Sequence, residues 1–241
     1  MSAHSIEVRD SPSAVAEAAA AALAERIAAA QRQNGRAHIV VTGGGIGTAT
    51  LAALARLSVD WSRVDLWWGD ERFLPEGDPE RNVTQAAQAL LDHVSIPAAH
   101  IHAMPADAGQ GAEQAARDYA DELAAASVDG MAPRFDVLLL GMGPEGHVAS
   151  IFPDSPAAHA GAPVVGVHDC PKPPPTRVSM TFPLIRSARE VWLLATGAAK
   201  AEAVAEALRP GADPVVIPAA GATGRERSIA WLDADAAALL A

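Results

Sequence analysis

Short apolar runs alternate with longer stretches of helical periodicity along almost the whole chain. Ala37–Thr42, Val64–Trp68, Val137–Leu140, Glu190–Thr196 and Ser228–Leu232 read as strands. They are compact and rich in branched or aromatic residues, and most show little polar alternation, the pattern of strands covered on both faces. Ser5–Arg9 reads as a short edge strand, His100–Met104 as another short strand, and Thr176–Thr181 as strand-like. Between them lie helical patterns: Pro12 to about Gln33, Thr48–Leu57, Asn82–His93, Glu113–Ala126 and Ala198–Leu208. Ser11-Pro12 supplies a start signal for the first helix and Asn34-Gly35 a left-handed stop. Asp233 is expected to cap a closing helix. This alternation predicts an α/β protein of one domain, 1–241, with a mainly parallel sheet and helices on both faces. The proline-rich stretch Pro153–Pro175 is expected to be a loop bordering the site rather than a domain boundary.

Composition narrows the function. The chain has 241 residues, half of them hydrophobic, and a net charge of −11. Such a balance argues against nucleic acid as a partner, because phosphates demand a basic face. It also requires an anionic substrate to be held by local cations working against the overall field. A single cysteine, Cys170, removes any disulfide framework or cysteine-rich metal site and fits a reducing cytoplasm. No signal peptide is visible at the N-terminus, and the alanine-rich run 14–30 is too charged to span a bilayer. A soluble cytoplasmic protein without membrane contact is expected.

The candidate chemistry sits where strands give way to helices, the end of an α/β sheet that binds ligands. After Val137–Leu140 the chain runs Gly141-Met142-Gly143-Pro144-Glu145-Gly146-His147, with a helix-compatible segment following the histidine. This places a titratable imidazole at the site; read blandly, the same stretch is a tight turn with His147 at a helix start. Thr42-Gly43-Gly44-Gly45-Ile46-Gly47-Thr48 follows another strand, and its backbone amides make a plausible anion cradle. It lacks the Gly-Lys-Ser/Thr ending of a P-loop, and Thr48 stands where a dinucleotide fingerprint has its third glycine. Gly69-Asp70-Glu71-Arg72 sets two carboxylates and a guanidinium beyond a third strand, although charged loops are commonly just solvated. Lys200, one of only two lysines with Lys172, lies in the first turn after the strand ending at Thr196, an end that repels cations unless an anion binds there. Arg177 is a further cation beside a strand, with a surface arginine as its plain alternative.

These segments, in this order, resemble those of the 6-phosphogluconolactonases. The resemblance runs from the first helix to Trp231-Leu232-Asp233, and Gly141–Pro153 is its most specific block. It implies a fold like that of glucosamine-6-phosphate deaminase and ribose-5-phosphate isomerase. It also implies hydrolysis of 6-phospho-D-glucono-1,5-lactone in the oxidative pentose phosphate pathway, with neither metal nor organic cofactor. On that resemblance His147 is the base that activates water, with Glu145 as its carboxylate neighbour. Gly43, Gly44, Gly45, Thr48, Asp70, Arg72, Arg177 and Lys200 would bind the sugar-phosphate lactone. Monomer and homodimer are both compatible with this reading. Two positions depart from the common family pattern: Glu145 replaces an aspartate, lengthening the carboxylate's reach by a methylene, and Val148 replaces a threonine. The rivals are a deaminase or aldose–ketose isomerase on the same fold, a dinucleotide oxidoreductase, and a sugar-phosphate-binding protein without catalysis. Against the first stands Phe152, which precedes Pro153 where the deaminases carry glutamate; Asp70 leaves that rival open.

Overall fold

The computed structural model describes residues 4–127, 130 and 132–240. Seven strands form one parallel sheet in the order β1, β10, β9, β6, β2, β3, β5. Their spans are Ser5–Arg9 (β1), Ala37–Val41 (β2), Val64–Trp68 (β3), Ile101–His102 (β5), Val137–Gly141 (β6), Glu190–Ala195 (β9) and Arg227–Asp233 (β10). All residues of β3 and β9 are buried. Since successive side chains point to opposite sides of a sheet, burial of every position means that both faces are covered. The expected architecture is therefore present, and the adjacent tryptophans Trp67 and Trp68 both lie in the core.

The first long helix, α1 (Pro12–Asn34), starts where Ser11 Oγ accepts the Ala14 amide at 3.3 Å and stops at Gly35, whose φ is 80°. A second helix, α2, spans Gly44–Leu54, and α3 spans Asn82–Ala89. Ala112–Ala125 form α4, Phe182–Ile185 the short α5, and Ala201–Leu208 α6, which a 3-10 turn at Ala198–Lys200 precedes.

Several sequence expectations are corrected. The second helix begins at Gly44, four residues before Thr48, because α2 includes the glycines. The third ends at Ala89, and a separate 3-10 turn, Leu91–His93, completes the segment. No helix follows His147: positive φ at Gly146 (85°) and Ala149 (49°) turns the chain, and Val148 makes isolated bridges with Met142 and Ile151. The closing helix is also absent, 234–239 being turns, although the Asp233 carboxylate does accept the Ala236 amide. Asp70–Arg72 is a strand, β4, rather than a loop. The proline-rich segment contains another strand, β7 (Val164–Val167). These two join β8 (Arg177–Met180) in a small antiparallel sheet ordered β4, β8, β7.

The order of the parallel sheet locates the crevice. From β2 the chain moves outward through β3 to β5, whereas β6, β9 and β10 build in the other direction. Neighbours β2 and β6 therefore flank the switch point, and the loops leaving their carboxyl ends diverge to leave an opening. The small sheet overlies that end, tied to it by the Met180 amide, which donates to Gly69 O at 2.9 Å.

Candidate active site

A cavity of about 330 Å³ occupies this opening. Its floor comes from the β2–α2 and β6–β7 connections, at Thr42–Ile46 and Gly141–Pro144. One wall carries Asp70, Arg72 and Asn82, another Lys172 and Arg177, and a third Thr196 and Lys200. His147 lines it as well. No side chain caps α2, so its first-turn amides are left for a ligand in the cavity. Glycine is required at position 43 because a Cβ there would lie 2.0 Å from Asn82 Oδ1. Asn82 in turn donates to Asp70 O at 2.9 Å, tying the start of α3 to β4 beside the glycine loop.

His147 is held by a carboxylate, its Nδ1 lying 2.8 Å from Glu145 Oε1. The other Glu145 oxygen accepts from Lys172 Nζ at 2.7 Å. Burial would raise the Glu145 carboxyl, but Lys172 and His147 outweigh it and hold it down at about 2. An ionised carboxylate only accepts, so Nδ1 carries the hydrogen and the ring's lone pair is at Nε2. Burial lowers the His147 pKa from its ordinary value, Glu145 opposes this, and Lys172 adds to it. The net effect favours the neutral imidazole. Gly143 makes this stance possible, since a Cβ there would lie 2.0 Å from His147 Nδ1 and 2.7 Å from Glu145 Oε2. The Phe152 ring packs on the imidazole with centroids 4.5 Å apart.

The cations are positioned in different ways. Lys200 Nζ donates to Met142 O, and burial lowers its pKa. Its turn is anchored by Asp233, whose two oxygens accept the Gly197 amide at 2.9 and 3.0 Å. Arg72 Nη1 donates to Glu80 O at 2.8 Å. Arg177 is buried, not a surface arginine; its Nε and Nη2 donate to the carbonyls of Pro174, Lys172 and Pro173, and its guanidinium lies 5.6 Å from the Phe152 ring centroid. Asp70 is the carboxylate in the wall, fixed by Ser150 Oγ at 2.7 Å.

Of the residues singled out from sequence, Gly43, Gly44, Gly45, Asp70, Arg72, His147, Arg177 and Lys200 line one cavity, and Glu145 supports it from behind His147. Thr48 is not in the lining; its hydroxyl donates to Gly44 O at 2.6 Å and Gly45 O at 3.2 Å within α2. Glu71 does not face the crevice with Asp70. It is fully buried, accepts amides from Arg72, Asn82 and Val83 at 2.8, 2.6 and 3.0 Å, and so caps α3. Burial pushes its carboxyl up to about 6. Lys172 was missed as a site residue, although lysine scarcity marked it equally with Lys200. Among the described residues no group of three or more His, Cys, Asp or Glu side chains is arranged to hold a metal ion, and no helix is long and apolar enough to cross a membrane.

Residues 10–231 match the family model described as glucosamine-6-phosphate isomerases/6-phosphogluconolactonase. A 6-phosphogluconolactonase of Streptomyces coelicolor is 56% identical over 237 residues, covering 94% of this chain and 90% of that one. The Mycobacterium tuberculosis 6-phosphogluconolactonase is 50% identical over 243 residues, covering 98% of each. Among solved structures, the Trypanosoma brucei 6-phosphogluconolactonase superposes with a TM-score of 0.85 at 27% identity, covering 99% of both chains. A monomeric glucosamine-6-phosphate deaminase shares the fold, with a TM-score of 0.80 at 21% identity and coverage of 97% of this chain and 99% of that one.

Proposed function

Because the chain belongs to the family of glucosamine-6-phosphate isomerases and 6-phosphogluconolactonases, we propose that it hydrolyses 6-phospho-D-glucono-1,5-lactone to 6-phosphogluconate, a step of the oxidative pentose phosphate pathway. The observation that carries this reading is the placement of His147, braced by Glu145, in a cavity walled by Arg72, Lys172, Arg177 and Lys200. Four cations in one small cavity of a chain with net charge −11 suit a phosphorylated substrate.

The chemistry follows from the ester. His147 Nε2 accepts a proton from water as the water oxygen attacks C1 of the lactone. The carbonyl oxygen becomes an oxyanion, stabilised by whichever glycine-loop amides or arginine donor the phosphate leaves free. Collapse of the tetrahedral intermediate expels the ring oxygen, which takes the proton back from the imidazolium. The new carboxylic acid then ionises to solvent. Glu145 stabilises the imidazolium and keeps the ring in the required tautomer. Arg72, Arg177, Lys200 and the Gly44 and Gly45 backbone hold the phosphate, and binding so far from the reacting carbon supplies positioning. Asp70 accepts from sugar hydroxyls. No acyl-enzyme is needed, and the unit acts as one domain.

The test generates the lactone in place with glucose-6-phosphate dehydrogenase and follows its loss against the spontaneous rate. Wild-type protein should accelerate that loss; a rate no faster than the spontaneous one overturns the lactonase reading. The rival deaminase activity is checked by ammonia release from glucosamine 6-phosphate. Phe152, packed between His147 and Arg177, puts a hydrocarbon ring where that chemistry calls for a carboxylate, so no release is expected.

A further inference from the structure

The Lys172–Glu145–His147 chain joins two parts of the site. Lys172 comes from the turn between β7 and β8, Glu145 and His147 from the connection after β6. Its two contacts, 2.7 and 2.8 Å, use opposite oxygens of one carboxylate, so Glu145 cannot be moved at one end without effect on the other. Lys172 is the most exposed member, its side chain 40% accessible against 31% for Glu145 and 17% for His147. Its backbone is nonetheless fixed, because Arg177 donates to the carbonyls of Lys172, Pro173 and Pro174 from the cavity wall. The Cys170 amide, donating to Pro175 O at 2.9 Å, closes the same turn.

We propose that Lys172 is a positioning residue for the base: through Glu145 it sets both the orientation of His147 and the charge that the imidazole experiences. The proposal rests on the lactonase reading for its consequence in turnover but not for its effect on the histidine. A glutamate alone beside an imidazole favours the imidazolium, which could not accept a proton from water. A lysine on the far oxygen offsets that charge while leaving the hydrogen bond in place. The other charged groups near His147 are Asp70 from β4, which favours the imidazolium, and Arg177 from β8, stacked on the intervening Phe152. Lys200, from the turn before α6, faces Glu145 and Lys172. None of these hydrogen-bonds to Glu145, so Lys172 is the cation whose removal acts most directly on the pair.

The variants are Lys172→Met, which keeps the aliphatic stem, and Lys172→Arg, which keeps the charge. Histidine ring signals of the ligand-free protein are followed by NMR as pH is varied. In Lys172→Met the His147 titration should move to higher pH by roughly half a unit to one unit, as expected on losing a cation about two hydrogen bonds away. Glu145→Gln should move it the opposite way. The arginine variant should restore most of the shift. In the lactone assay the acid limb of kcat/KM for Lys172→Met should move upward with the NMR value, with a roughly three- to tenfold loss well below the wild-type His147 value that shrinks to about twofold near neutral pH and disappears as pH rises.

A KM increase with no movement of the histidine titration would make Lys172 a phosphate ligand only and overturn the proposal. Equal titration curves for wild type and Lys172→Met, with turnover unchanged, would overturn it as well. If the wild type fails to hydrolyse the lactone, the ligand-free titration still decides the role of Lys172. Failure of the lactonase reading is thus distinguishable from failure of this one.

Discussion

Two histidines of this protein sit beside carboxylates and are driven in opposite directions. At the carboxyl end of the sheet, His147 touches one glutamate whose other oxygen is taken by Lys172. Toward the β5 edge, His102 lies between two carboxylates, with Nδ1 2.7 Å from Glu122 Oε1 and Nε2 3.2 Å from Asp65 Oδ1. Its ring stacks on Trp67 with centroids 3.8 Å apart and planes 5° from parallel. Burial alone would lower both rings. Burial prevails for His147, whereas for His102 the two carboxylates reverse it and raise the pKa to about 9. One site therefore favours the neutral imidazole and the other an imidazolium that staples β3, β5 and α4 below about pH 9. The sign is decided by whether nearby carboxylates outweigh burial, not by the presence of a carboxylate alone. Burial also lowers the ring of His38, on β2 next to Asp65, because it makes no hydrogen bond to that carboxylate, the closest approach being 3.9 Å.

The comparison breaks most clearly at His147. His147→Ala should lower turnover of the lactone by about 10³-fold while substrate still protects the protein against thermal unfolding. A loss below about tenfold would assign the proton transfer to another group. His102→Gln should leave KM unchanged and act on stability. Breaking a half-solvated pair of ionic hydrogen bonds costs about 2 kcal/mol, discounted because the Glu122 side chain is 42% exposed. The pH dependence has a definite sign. A histidine raised to about 9 in the folded state stabilises most below its unfolded value of about 6.5, and that contribution is lost as pH rises through about 9. Urea midpoints of wild type and variant should thus differ near pH 6 and converge near pH 10. A constant difference would reduce His102 to a packing element.

The cavity cations give smaller effects. Arg72→Ala and Lys200→Ala should each raise KM by about ten- to thirtyfold with kcat within about threefold, because a phosphate held equally in ground and transition states contributes uniform binding. A kcat loss of the same size from both would mean that they act on the reacting carbon instead.

The difference between the two histidine sites also marks what the amino-acid order reveals. His147 was legible because glycines, a preceding apolar run and a following turn announce a strand end. Glu145 came with it by proximity in sequence. Lys172 reaches the site only because the proline-rich segment forms a strand and folds back as a hairpin, 27 residues from its partner. Glu71 shows a subtler limit: in a strand, neighbours point oppositely, so Asp70 and Arg72 face the cavity while Glu71 turns inward to cap α3. Reading Asp70–Arg72 as a loop hid that alternation. Thr48 illustrates the reverse, a residue of suitable type that α2, starting at Gly44, carries past the opening. The His102 cluster had no local signature, since its parts lie on β3, β5 and α4 and meet only when the sheet forms.

The finest test compares the two rings in one titration. In the ligand-free protein His147 should titrate below the ordinary histidine value of about 6.5 and His102 near pH 9, so the two rings should titrate as well-separated transitions. Asp65→Asn sharpens the assignment because it removes one of the two carboxylates that distinguish His102 from His147. Its ring should then fall toward the ordinary value, while His147, which makes no contact with Asp65, should not move. Activity should follow only the lower transition, with kcat/KM rising as His147 loses its proton and level across the range where His102 titrates. A second rise near pH 9 that disappears in Asp65→Asn would couple the staple to the base. The two sites would then be one electrostatic unit rather than two opposite uses of the same side chain.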